Sequence, residues 1–224
     1  MCAAGTDADA AHTDRSAVQS PRRALRSPVA IAAFLLATAA GLAADLLSKH
    51  YVFQSLLGDP QLQRRCQQMR QIVRHRQGRD LTGAEGLQQF TRPVAPGVKF
   101  TLSTNPGVVF GLGMNRKLIG AATIVTVLLL LYLFAVSNSK DWQIHLAMGL
   151  IAAGALGNLY DRLFCQVHLP GGELIQNQVR DFINCSALHY PWIFNVADAL
   201  LVIGMGILAV RWVLWPRRQT KAKR

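Results

Sequence analysis

Charge is scarce in this sequence, and it is scarcest where it would exclude a membrane. Asp, Glu, Lys and Arg make up only 16% of the 224 residues, and acidic residues number 12 against 24 basic ones. The stretch 118–136 contains no Asp, Glu, Lys, Arg or His. The first apolar run, 29–47, lacks the small-residue cleavage site of a secretory signal peptide, because Asp45 and Lys49 close it instead. Cysteine is also sparse, at four residues. Cys2 has no apolar stretch before it that could direct lipidation, so it reads as an ordinary free thiol. A hydrophobic share of 51% would suit one soluble domain, but the way it is distributed excludes that reading.

Four apolar runs are present, 29–47, 118–136, 144–163 and 192–215, each close to the roughly 20 residues that a membrane-spanning helix needs. Arg22, Arg23 and Arg26 precede the first, and Arg217, Arg218, Lys221, Lys223 and Arg224 follow the last. By the positive-inside rule both termini are cytoplasmic, as an even number of spans requires. The basic residues of the first outer link (Arg64, Arg65, Arg70, Arg74, Arg76, Arg79, Arg92, Lys99) oppose this orientation, but the rule is weak for links of that length. The formal net charge of +12 is scattered over segments that the membrane separates, which argues against nucleic-acid binding. The expected fold is an all-α membrane protein of four transmembrane helices with a small extracytoplasmic β-containing cradle. Its parts would be a disordered cytoplasmic tail over 1–27, a membrane domain over 28–216 with an exposed extracytoplasmic insertion at 54–92, and a basic cytoplasmic tail over 217–224.

Within this frame, Val98, Phe100 and Leu102 alternate with Lys99, Thr101 and Ser103 in the period of a half-buried strand. Asn105-Pro106-Gly107 then turns the chain, as does Pro170-Gly171-Gly172 later. The third run carries Gly149, Gly154 and Gly157 among alanines, which permits close helix approach in a bilayer. Cys165 and Cys185 share the second outer link and could form a disulfide, with Cys66 as a competing partner. Trp212 and Trp215 mark the inner interface before Pro216 ends the last span.

Polar residues stand where the apolar runs meet the outer face: Asp45, Asn105, Asn158, Asp161, Arg162, Asp181, Asn195 and Asp198. Unpaired charge there costs several kcal/mol. Each residue has a bland reading: Asp45 with Lys49 as an ion pair at the interface, Asn195 with Asp198 as a capping box, Asn158 as a bridge between helices, and Arg162 as a partner of Asp161 or of a lipid phosphate. As a set they describe a site at the membrane surface. Two carboxylates brought together where water is scarce cannot both ionise easily, so the pair can act as base and acid in one hydrolysis. A transporter or channel would instead place charge at mid-bilayer on several helices, and a catalytically dead scaffold would have no need of both Asp181 and Asp198.

Asn105-Pro106-Gly107-Val108-Val109-Phe110, Gly157-Asn158-Leu159-Tyr160-Asp161-Arg162, Val179-Arg180-Asp181-Phe182 and Phe194-Asn195-Val196-Ala197-Asp198, with Asp45-x-x-x-Lys49 before them, resemble in order the signature blocks of the lipoprotein signal peptidase (signal peptidase II) family. The resemblance covers roughly residues 29–215. It implies an aspartic endopeptidase of the bacterial inner membrane, active at the extracytoplasmic face. Such an enzyme removes signal peptides from diacylglyceryl-modified prolipoproteins by cutting before the lipidated cysteine. By motif the catalytic pair is Asp181 and Asp198, with Asn105, Asn158, Arg162 and Asn195 positioning substrate and Asp161 and Asp45 in support. The expected partners are the lipidated substrates and membrane lipids, with no nucleic acid, no metal or other cofactor, and a monomeric chain. Two features depart from the family pattern: the long links at 54–92 and 165–178, and Arg180, where a small apolar residue is usual.

Overall fold

The computed structural model describes residues 23–109, 112–113 and 115–222. Most of the expected tail, residues 1–22 with Cys2, and the last two residues of the C-terminal tail lie outside these. Residues 23–27, also expected in the tail, are ordered. Ala24 is fully buried, its N–H bonds to Ser137 O, and Arg23 pairs with Asn138 in an isolated antiparallel bridge.

Ser27 caps α1 (Pro28–Leu57) by accepting from Ala30 N–H, and Pro28 occupies the first helical position, where a missing donor costs nothing. The helix runs ten residues past the expected end of the first span, with Ala30, Phe34, Gly41, Asp45, Lys49, Val52, Phe53 and Leu56 forming one buried stripe. Asp59 then caps α2 (Pro60–Gln77), which ends on Gly78 at φ 64°. A capping box between Thr82 and Glu85 opens α3 (Gly83–Leu87). The insertion is therefore folded, against the expectation of an exposed segment with little pattern. Cys66, Leu87 and Phe90 pack with Val52, Phe53 and Leu56 of α1 and with Leu102 and Phe182 of the sheet. The burial rests on a few well-separated apolar residues, so a window average of the sequence misses it.

Strands β1 (Thr91–Ala95), β2 (Val98–Asn105), β7 (Val179–Asn184) and β8 (Ile193–Phe194) form an antiparallel sheet in the order β1-β2-β7-β8. Short hairpins flank it, β3 (Val108–Val109) with β4 (Leu112–Gly113) and β5 (Gln166–His168) with β6 (Leu174–Gln176). Gly171 and Gly172, at φ 110° and 90°, make the turn between β5 and β6 that the Pro-Gly-Gly sequence announces.

Among the described residues, three helices have by themselves the length and apolarity to cross a bilayer: α1, α4 (Arg116–Val136) over Lys117–Val136, and α6 (Val196–Ala222) over Val196–Leu214. The fourth long helix, α5 (Trp142–Phe164), is not among them: it carries Gln143, His145, Asn158, Asp161 and Arg162, of which His145, Asn158 and Asp161 are buried. It sits between α1, α4 and α6, so protein rather than lipid solvates those groups. Phe34 of α1 stacks on Phe134 of α4, with ring centroids 4.6 Å apart, in a core shared with Met148 and Ile151 of α5. Leu128, Leu129 and Tyr132 of α4 point outward, as a lipid-facing helix requires. The last helix starts later than the run from Trp192 suggests, because Ile193–Phe194 join the sheet first, and it continues past Pro216 to Ala222. Cys66, Cys165 and Cys185 are all free thiols, so the disulfide considered above is not formed. Cys66 and Cys165 are each buried in the apolar core under the sheet.

Candidate active site

Tertiary packing brings the C-terminal halves of α1 and α5 against β7, with the start of α6 beside them. Asp45 of α1 reaches the first turn of α6, where its Oδ1 accepts from Ala197 N–H at 2.8 Å, so a carboxylate faces the positive end of that helix. Its Oδ2 accepts from Lys49 Nζ at 2.7 Å. Both side chains are fully buried. Lys49 also pairs with Asp161 Oδ2 at 3.2 Å and donates to Asn158 Oδ1 at 3.0 Å. One ammonium thus ties α1 to two groups on α5. Gly157 makes this approach possible, since a Cβ there would collide with the Asp45 carboxylate.

Asn195 and Asp198 form the expected capping box. Asp198 N–H donates to Asn195 Oδ1 at 3.0 Å and Asn195 N–H to Asp198 Oδ2 at 3.3 Å. The cap and the site share the same atoms. Asn195 Nδ2, left over from capping, donates to Asp181 Oδ1 at 2.6 Å and to Asn158 Oδ1 at 3.2 Å. Asn158 Nδ2 in turn donates to Asp198 Oδ1 at 2.9 Å. Two asparagines, one on α5 and one on the α6 cap, therefore join Asp181 to Asp198 in a single network.

Asp181 is nearly fully buried in the central strand β7, opposite Ser103 of β2. Its carboxyl is pushed up to about 8, first by burial and next by the negative charge of Asp198, while the Asn195 bond and Lys49 pull it down. At neutral pH it holds its proton. With Oδ1 occupied by Asn195, Oδ2 is the oxygen to carry that proton. Arg162 lies within electrostatic reach of both Asp181 and Asp198. It does not form an ion pair with Asp161; its Nη1 donates to Asn158 O at 3.2 Å, and its buried Nε has no protein acceptor among the described residues. Asp161 is engaged instead by Lys49 and by Arg180, whose backbone N–H, Nε and Nη2 reach it at 3.0, 3.1 and 2.7 Å. Asn105 stands farther along β2, paired with Val179 and so on the same sheet face as Asp181. Its side-chain oxygen accepts from Gly107 N–H at 2.8 Å, which fixes the turn there.

Seven of the eight residues singled out in the sequence thus fall into one connected or electrostatically coupled group, and Asn105 borders it. Lys49 is more than an ion-pair partner of Asp45, since it also reaches Asp161 and Asn158. The signal for it was present: Asp45, Lys49, Val52, Phe53 and Leu56 recur at helical spacing, which puts the lysine on a buried stripe. Arg180, noted only as a departure, braces Asp161. No sequence signal pointed to that partner, because strand alternation says only that Arg180 and Asp181 face opposite sides of β7. An apolar cavity of about 430 Å³, lined by residues including Tyr190, Phe194, Val202 and Ile203, opens onto Asp198.

A family model described as "Signal peptidase (SPase) II" matches residues 37–214. The lipoprotein signal peptidase of Desulfitobacterium hafniense is 35% identical over 134 residues, covering 58% of this chain and 80% of that relative. The lipoprotein signal peptidase of Aquifex aeolicus is 38% identical over 125 residues, covering 53% of this chain and 68% of that relative. A solved structure described as a bacterial membrane enzyme has a TM-score of 0.57 over 87% of this chain and 93% of its own, at 21% identity, which is a likeness of fold.

Proposed function

The chain belongs to the signal peptidase II family, and from that premise we propose that it is an aspartic endopeptidase that cleaves diacylglyceryl-modified prolipoproteins before the lipidated cysteine. The observation that carries the reading is the two-asparagine network joining Asp181 to Asp198, with Asp181 held protonated by burial and by its neighbour's charge. Asp198 lies in the first turn of α6, at the positive end of that helix's dipole. It takes a proton from water as that water attacks the scissile carbonyl carbon. Asp181 gives its proton to the carbonyl oxygen, and the resulting tetrahedral diol collapses with proton return to the leaving amine. The shared proton belongs to the pair. Arg162, with a buried donor still open, and Asn105, beside the strand that carries Asp181, orient the substrate backbone, while Asp45, Lys49 and Asp161 hold Asn158 and α6 in register.

On this reading α5 is a fourth span, solvated by the other three, both termini are cytoplasmic, and the dyad lies at the extracytoplasmic membrane surface of the inner membrane. The apolar cavity on Asp198 then faces the acyl chains and the hydrophobic part of a signal peptide. The enzyme acts as a monomer without a metal. The test is cleavage of a diacylglyceryl prolipoprotein by detergent-purified protein, with Asp181→Asn and Asp198→Asn compared at matched folding. Cleavage before the lipidated cysteine by wild type, with both variants folded and inert, is the expected result. Full activity in either variant removes the dyad, and an inert wild type on several lipidated substrates removes the peptidase reading.

A further inference from the structure

Arg180 lies on the opposite side of β7 from the dyad. There, two adjoining cavities of about 410 and 330 Å³ share His50, Gln166 and Arg180 as lining residues. The end of α1 forms one wall and the β5–β6 hairpin the other. Arg180 Nε and Nη2 are spent on Asp161, and Nη1 has no acceptor among the described residues. His50, Gln166 and, in the smaller cavity, His168 add exposed ring and amide donors. No carboxylate lines either cavity among the described residues. A pocket of donors with one fixed guanidinium and no carboxylate suits an anion that only accepts hydrogen bonds.

The rim identifies what kind of molecule carries that anion. Leu47, Tyr160 and Phe164 line the larger cavity and are all well exposed, with the Tyr160 and Phe164 rings 5.3 Å apart. Tyr51, 72% exposed, lies one helical turn past Leu47 on α1. A free phosphate would gain nothing from this apolar margin, and exposed aromatics at the outer end of two long helices mark the level of lipid headgroups. We propose that this groove binds the phosphodiester headgroup of an anionic phospholipid, with its acyl chains lying along α1 and α5. A zwitterionic lipid brings the same phosphate plus an ammonium, for which the groove has no carboxylate, so the site selects a phosphatidylglycerol-type headgroup over a choline one. None of the dyad residues lines it, so the claim goes beyond the proposed peptidase reaction and stands or falls separately from it.

The experiment is native mass spectrometry of the full-length protein from mixed micelles holding phosphatidylglycerol and phosphatidylcholine at equal mole fraction. Wild type should retain the anionic lipid over the zwitterionic one by about twofold or more, because the Arg180 charge is partly offset by its pairing with Asp161. His50→Glu with His168→Glu should bring that ratio near one and leave choline-lipid retention unchanged. Gln166→Glu, a single change on the exposed hairpin, makes the same test should the double variant not fold. Arg64→Gln with Arg65→Gln on the basic outer face of α2 should leave the ratio alone. Equal retention of both lipids by wild type, an unaltered ratio in the groove variants, or a ratio lost only in the α2 variant would overturn the proposal. Displacement of the lipid by millimolar inorganic phosphate would also overturn it, because the groove would then be a free-phosphate site. Lipid retention is read without any substrate, so an inactive enzyme does not affect the outcome.

Discussion

Lys49→Met tests the architecture under the dyad more sharply than any change to the dyad itself. Methionine keeps the length and apolar stem of lysine but removes a fully buried ammonium that holds Asp45 at 2.7 Å, Asp161 at 3.2 Å and Asn158 Oδ1 at 3.0 Å. Asp161 keeps Arg180, and Asp45 keeps one backbone N–H, but Asp45 loses its only ion pair among the described residues. Removing one partner of a buried pair costs about 3–5 kcal/mol. In a chain of this size each kcal/mol moves the melting midpoint by about 2–4 °C, so a fall of roughly 6–20 °C is expected. A second readout is electrostatic. Lys49 pulls the Asp181 carboxyl downward, so without it the alkaline limb of the pH–rate profile should move above its wild-type position near 8. Lys49→Met combined with Asp45→Asn should regain part of the lost stability, since it removes the stranded charge. The assays are thermal unfolding in detergent and kcat/KM against pH. A midpoint within about 2 °C of wild type, the scale of one ordinary surface contact, together with an unmoved alkaline limb would refute the buried bridge.

Three further outcomes follow from the same geometry. Asp181 holds its proton to about 8 in the fold and would lose it near 4 when unfolded, so its contribution to stability is complete at pH 4 and is lost as pH rises through 8. Asp181→Asn should therefore gain stability relative to wild type between pH 5 and pH 9, as measured by melting across that range, and wild-type cleavage should decline above about 8. Gly154→Ala places a methyl group against the backbone carbonyl of Ala197, which cannot rotate away, and should cost about 1–3 kcal/mol, with activity falling as α5 and α6 separate. Gly206→Ala meets open space and should be neutral or slightly stabilising in the same melts. Asn195→Asp can keep the cap through its side-chain oxygen but replaces the donor to Asp181 and Asn158 with a buried carboxylate, so the alkaline limb should rise and the melting midpoint should fall. Asn195→Ala loses both and should also melt lower, by the equivalent of about 1 kcal/mol.

Much of this protein was determined by its sequence alone. The apolar runs announced long helices because burying a backbone in lipid leaves no other solution. The motifs named a site because a carboxylate at the end of such a run is too costly to be idle. The Asn-Pro-Gly and Pro-Gly-Gly turns and the alternation of Val98, Phe100 and Leu102 are local properties, and the structure has them where the sequence put them. What stayed hidden depends on which surfaces meet. The burial of α5 behind α1, α4 and α6 makes His145, Asn158 and Asp161 an interior lining. The folding of the insertion rests on Cys66, Leu87 and Phe90 finding the underside of a sheet built from strands nearly eighty residues apart.

The polar network makes the division clearest. A sequence shows that Lys49 lies four residues after Asp45 and Arg180 one before Asp181, and spacing along one element goes no further. That Lys49 also holds Asp161 and Asn158, that Arg180 turns to Asp161, and that the capping amide of Asn195 has a donor left for Asp181 are contacts across elements. Hydrogen bonds of this kind need donor and acceptor within about 3 Å, a condition that only the packed helices and the β2–β7 register supply.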